Sequence, residues 1–145
     1  MAATCADTSF LFSLFGRDAH TPNAQTWVRQ AQQTISVTLL NRYEFRNAVR
    51  FAAFRKLISR ADAQASITAF DSDLNSRYLQ LVAYDLPAIF TEADRLSNLH
   101  TVRQGPRSFD LLHVAGARLL NATTFLTFDL NQKKLAVAAG LTVWP

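Results

Sequence analysis

The stretch Thr124-Phe125-Leu126-Thr127-Phe128-Asp129 constrains this chain most. It is rich in threonine and phenylalanine, the composition of a buried strand, and it stops at an aspartate. Asn131-Gln132-Lys133-Lys134-Leu135 starts a helix directly afterwards. Upstream, Ser108-Phe109-Asp110-Leu111-Leu112-His113-Val114-Ala115 opens another helix. Ser108 is an N-cap type, and Asp110 sits in the first turn, where the helix dipole favours an acid. Leu111, Leu112, Ala115, Leu119 and Leu120 keep helical spacing. One aspartate at a helix start and another at a strand end can meet in the crevice at the carboxyl edge of a parallel sheet.

Taken singly, Asp110 is also readable as a helix-start acid and Asp129 as a turn residue. The same arrangement recurs at the N-terminus, where the short strand 1–6 ends at Asp7-Thr8-Ser9. A fourth acid, Glu44, follows the strand Thr34-Ile35-Ser36-Val37-Thr38, in the next helix.

In order and spacing, Asp7-Thr8-Ser9-Phe10-Leu11, Glu44, Phe109-Asp110-Leu111-Leu112-His113-Val114-Ala115 and Leu126-Thr127-Phe128-Asp129 resemble the PIN-domain ribonucleases, and within them the VapC-like toxins of toxin–antitoxin modules. The resemblance spans essentially the whole chain. It implies a metal-dependent endoribonuclease with a three-layer α/β/α fold and strand order 3-2-1-4-5. Asp7, Asp110 and Asp129 would then hold one or two hydrated ions, with Glu44 binding metal directly or through water. Oxygen-only ligands suit Mg²⁺ or Mn²⁺ rather than zinc. Ser9 and Thr127 could orient water or phosphate. Asn131 stands where some relatives place a further acid, and its amide cannot supply that charge. The resemblance also implies an RNA substrate, a cognate antitoxin on a separate chain, and a homodimer.

A chain of 145 residues is one domain's worth, here residues 1–145. Cys5 is the one cysteine, so no internal disulfide forms, and a buried thiol in a reducing cytoplasm is expected. The run 10–16 has the apolarity of a signal-peptide core. It lacks a basic flank and a small-residue cleavage site, so it reads as a buried first helix. No run reaches the roughly 20 apolar residues of a membrane span. Net charge is +4; with the four candidate acids set aside, fifteen basic residues face seven acidic ones. A basic surface around an acidic hole suits a phosphate backbone, and equally a solvated surface without a partner.

Between the motifs, a helix capped by Thr21 carries Trp27, Val28 and Ala31 on one face. Residues 40–60 form the longest helix, with Phe45, Ala48, Val49, Ala52, Ala53 and Leu57 on one face. Arg42, Arg46 and Arg50 form a stripe that is either solvated or set against RNA or an acidic partner. Phe51, Phe54 and Ile58 widen the apolar arc and motivate a dimer face. Residues 61–75 read as a helix with Asp71 and Asp73 as surface charges, and 78–84 as the third strand. Residues 86–99 read as a helix, 100–107 as a loop, 131–139 as a helix capped by Gly140, and 141–144 as the last strand. This alternation predicts an α/β fold with five strands, mostly parallel, and helices on both faces.

Two other readings stand beside the nuclease. Receiver-type signalling domains also gather acids at a sheet edge. They need adjacent acids after the first strand and a lysine ending a late one; here Thr8 follows Asp7 and the last strand ends Val143-Trp144-Pro145. A catalytically inactive PIN-like module that binds RNA or protein is the alternative. His113 is either a packed helix residue or a general base, and Arg118, two turns from Asp110, is a candidate for RNA contact. Four clustered carboxylates should repel one another and carry raised pKa values.

Overall fold

A computed structural model describes residues 3–74, 76 and 78–145; Met1, Ala2 and Asn75, placed above in the first strand and the fourth helix, lie outside the described residues. Elements follow in the order β1 (Ala3–Ala6), α1 (Thr8–Phe15), α2 (Thr21–Ala31), β2 (Ile35–Val37), α3 (Leu39–Phe54), α4 (Arg60–Asp73), β3 (Leu79–Leu81), α5 (Leu86–Gln104), α6 (Ser108–Leu119), β4 (Ala122–Leu126), α7 (Leu130–Ala138) and β5 (Thr142–Trp144). The strands form one sheet in the order β3-β2-β1-β4-β5. All four neighbouring pairs are parallel. The expected α/β architecture and strand order are both present.

Side chains alternate across a strand, so each central strand feeds two layers. Ala6 and Leu126 join a core with Phe10, Leu11, Val28, Phe45, Val49, Ile67 and Phe70 from α1 to α4. Their neighbours Cys5 and Phe125 face the other way, into a core with Ile89, Leu96, Leu112, Val114 and Leu135 from α5 to α7. The sheet is thus covered on both faces, as a parallel sheet requires. Phe10 and Leu11 are fully buried, so the apolar run near the N-terminus is core. Burial pushes the free Cys5 thiol up to about 12, which leaves it inert. Among the described residues, no helix is long and apolar enough to cross a membrane.

Several boundaries differ from the expected ones, each for a local reason. α3 ends at Phe54 rather than at 60. Lys56 takes a left-handed turn (φ 60°), and Ser59 caps α4 by accepting from the Asp62 amide at 2.9 Å. Leu57 therefore leaves the buried face and is 67% exposed, while Ile58 packs against the core. α5 continues through the expected loop to Gln104 and stops at Gly105, whose φ of 62° favours glycine. His20 precedes α2, with Thr21 as its first residue, and Ala139 rather than Gly140 ends α7.

Candidate active site

The four predicted acids arrive from four different places. Asp7 directly follows β1 and caps α1; Glu44 lies in the second turn of α3; Asp110 lies in the first turn of α6; Asp129 caps α7. All four line one cleft of about 730 Å³, together with Thr8, Ser9, Ser13, Asn47 and Arg107. Its walls are aromatic: Phe12, His20, Phe51, Phe109 and Phe128. His20 stacks on Phe128 with ring centroids 4.4 Å apart and planes 9° apart.

Asp7 is the most enclosed acid, with 4% of its surface exposed. Its Oδ1 accepts from Ser9 Oγ at 2.6 Å and from the Phe10 amide at 3.1 Å, and its Oδ2 accepts from Thr127 Oγ1 at 2.6 Å. Burial raises its pKa, against the pull of the hydroxyls of Ser9 and Thr127 and the Phe10 amide. Ser9 and Thr127 thus hold Asp7, and Thr127 also accepts from the Asp129 amide at 3.0 Å. Asp129 Oδ1 accepts from the amides of Asn131 at 2.8 Å and Gln132 at 3.1 Å, as an N-cap does. Asn131 contributes that backbone N–H; its exposed side chain is not among those lining the cleft.

Arg107 is a member of the site that the sequence reading placed only in a loop. Its Nε donates to Asp110 Oδ2 at 3.3 Å, its amide donates to the same oxygen at 3.2 Å, and its Nη2 stands 3.9 Å from Asp129 Oδ2. One exposed guanidinium therefore serves two carboxylates. Among the described residues, no three histidine, cysteine, aspartate or glutamate side chains stand assembled around one point as a metal centre. The acids share a cleft whose charge Arg107 partly answers.

Glu44 Oε1 accepts from Thr8 Oγ1 and stands 3.1 Å from His113 Nε2. Half-burial works to raise this carboxyl, but the hydrogen bonds with His113 and Thr8 and the nearby Arg107 outweigh it, and Glu44 lies below its usual range. The raised pKa expected of all four acids is thus found at Asp7, from burial rather than repulsion, and reversed at Glu44. His113 is buried, with 5% exposed, and both ring nitrogens are engaged, Nδ1 with Asn41 at 3.1 Å.

The arginine stripe divides. Arg46 donates to Asp71 Oδ2, and Arg42 Nε lies 3.7 Å from Asp71 Oδ1, so Asp71 is a tie between α3 and α4 rather than a free surface charge. Arg50 is exposed and outside the acidic cleft. Arg118 donates to Glu92 Oε1 at 2.7 Å and to the Ala139 carbonyl, both away from the acids.

Comparison with known proteins agrees with the fold. The PIN-domain family profile matches residues 4–138. No curated protein matches the chain. Among solved structures, VapC20 of Mycobacterium tuberculosis, described as a sarcin-ricin-loop-cleaving toxin, is similar with TM-score 0.68 and 18% identity, covering 97% of each chain. A structure of VapBC2 from Rickettsia felis bound to a promoter DNA fragment gives TM-score 0.64 and 18% identity, covering 98% of this chain and 97% of that one. FitAcB from Neisseria gonorrhoeae gives TM-score 0.62 and 14% identity over 98% of this chain and 96% of that one.

Proposed function

Because this chain belongs to the PIN-domain family, we propose that it is a metal-dependent endoribonuclease, the toxin of a toxin–antitoxin module acting in the cytoplasm. The observation that carries this reading is the convergence of Asp7, Glu44, Asp110 and Asp129 on one cleft from four separate elements. The description of VapC20 as a sarcin-ricin-loop-cleaving toxin supports the substrate class, and the likeness to VapBC2 and FitAcB supports an antitoxin partner. The exposed Phe51 and Phe54 at the end of α3 offer a surface for that partner or for a second copy in a homodimer.

The donor set fits a hard, hydrated divalent ion. Every candidate ligand is a carboxylate oxygen, hydroxyl oxygens surround them, and Arg107 already partners Asp110 and Asp129 as a cation. A bound Mg²⁺ or Mn²⁺ supplies an acidified water and stabilises charge on the phosphate. Asp7, Asp110 and Asp129 would hold it, and Glu44 would hold it or its water. Ser9 and Thr127 keep Asp7 in place by donating to both of its oxygens. Exposed Arg107 can leave the carboxylates for a substrate phosphate. The aromatic walls offer faces on which unstacked bases can rest.

Purified protein is expected to cleave single-stranded or looped RNA with Mg²⁺ or Mn²⁺ and to stop in EDTA. The test is a fluorescence-quenched RNA pool incubated with each ion. Absence of cleavage with either ion across the pool would return the chain to the binding-module reading.

A further inference from the structure

We propose that His113 is a positioning residue: it donates through Nε2–H to Glu44 and sets that carboxylate in the cleft, with its tautomer dictated by Asn41 and Thr38. The inference rests on the nuclease reading for what Glu44 does, and on geometry alone for how it is held.

The chain of hydrogen bonds reads in one direction. Thr38 caps α3, and its backbone N–H donates to Asn41 Oδ1 at 2.8 Å. A backbone N–H can only donate, so this bond assigns Oδ1 to the oxygen of the amide. The Thr38 hydroxyl reaches the same oxygen at 3.0 Å and accepts from the Asn41 amide at 3.3 Å. The Asn41 Nδ2 therefore faces the other way. It donates to the Ala6 carbonyl at 3.1 Å and meets His113 Nδ1 at 3.1 Å. An amide nitrogen has no lone pair to offer, so Nδ1 must accept. A neutral imidazole that accepts at Nδ1 carries its proton on Nε2. That nitrogen stands 3.1 Å from Glu44 Oε1.

This arrangement assigns His113 away from the general-base role. Neither ring nitrogen is free for a water, and the ring is buried. Its effect is on Glu44. With Thr8 it occupies Oε1; among the described residues, Oε2 accepts no hydrogen bond from the protein and remains for an ion or a water. The chain also ties three pieces of the cleft. Asn41 and Glu44 lie one turn apart on α3, Ala6 immediately precedes Asp7, and His113 follows Asp110 by one turn of α6. One buried network thus sets the mutual placement of Asp7, Glu44 and Asp110. Asn41 and His113, both buried polar groups, would otherwise have no reason to be sealed in a core.

Two measurements test this. In ¹⁵N-labelled, metal-free wild type at pH 7.5, long-range proton–nitrogen correlations should show His113 Nδ1 as the unprotonated nitrogen and Nε2 as the protonated one. A protonated Nδ1 would overturn the assignment, whether or not the protein cleaves RNA. The second compares His113→Gln, which keeps an N–H donor for Glu44, with His113→Leu, which does not. Removing a partner that orients a metal ligand typically costs 10–100-fold in metal affinity or activity. His113→Leu should weaken Mn²⁺ binding, read by electron paramagnetic resonance, by about that factor, and lower kcat on RNA with KM unchanged. His113→Gln should recover most of both. Wild-type values in both folded variants, or a Gln variant no better than the Leu variant, would overturn the proposal.

Discussion

Asp7→Asn should abolish RNA cleavage while raising the melting temperature of the metal-free protein at pH 7.5. The two effects share a cause. Asp7 is nearly sealed from solvent, and burial lifts its pKa above that of the unfolded chain, about 3.9. A group whose folded pKa is raised contributes its full stability below the unfolded value and loses it as pH rises through the folded value. At pH 7.5, well above the unfolded value, burying this acid is therefore a cost to the metal-free fold. The amide of Asp7→Asn carries no charge, and its oxygen can still accept from the Phe10 amide and Ser9, as Asp7 Oδ1 does. Its NH₂ can donate to Thr127 Oγ1, where the carboxylate accepts. The stability gain should vanish as pH falls below about 4, where aspartate is neutral in both states. Activity should fall by more than about 100-fold, since even an outer partner of a metal ligand costs 10–100-fold. Melting curves at pH 7.5 and pH 3.5 and an RNA cleavage assay check this. A variant less stable than wild type at pH 7.5, or one that still cleaves, would contradict it.

Phe10→Ala should be the costliest single truncation in the core beside the site. Phe10 is fully buried. It stacks on Phe128 (5.6 Å, 16°) and meets Trp27 (6.0 Å, 86°) and Trp144 (6.1 Å, 81°) edge-on. It thus joins α1, α2, β5 and the turn that carries Asp129. Phenylalanine-to-alanine changes in cores cost about 3–5 kcal/mol, and here the aromatic contacts favour the upper part of that range. For a domain of this size the melting temperature should drop on the order of 10 °C. Val102→Ala is the control, because Val102 is 98% exposed. It should stay within about 0.5 kcal/mol of wild type. Urea unfolding of both variants measures the difference; equal midpoints would contradict the packing account.

The parts of this molecule that local chemistry controls were legible in its sequence. Short apolar runs alternating with helical periods led to the five strands, and acids at two strand ends (Asp7, Asp129) and near two helix starts (Glu44, Asp110) led to the candidate site. What escaped were contacts between distant residues and some quiet stops. Asp71 read as a surface charge because nothing near it in sequence announces Arg42 and Arg46. Arg107 read as loop because its partner Asp129 lies across the cleft. The extra turn of α5 was hidden by Gly105-Pro106, which marks a stop but not how close to it the helix runs. Ser59 and Asp62, three residues apart, carried a capping signal strong enough to separate α3 from α4. Thr38 and Asn41 carried a similar local signal. Their link to His113 needed the fold, because the ring is 72 positions away.

The central claim is that the acids of one cleft jointly hold a divalent ion. It is tested most directly by melting wild type and Asp7→Asn at pH 7.5, each in EDTA and in millimolar Mg²⁺. With free ion at about ten times its dissociation constant, binding stabilises the fold by roughly 1.4 kcal/mol. For this chain that is about 3–8 °C. Wild type should gain that shift, and Asp7→Asn, starting higher in EDTA, should gain little or none. A wild-type melting point that Mg²⁺ leaves unmoved, or an equal shift in both proteins, would contradict a metal site built on Asp7, Glu44, Asp110 and Asp129.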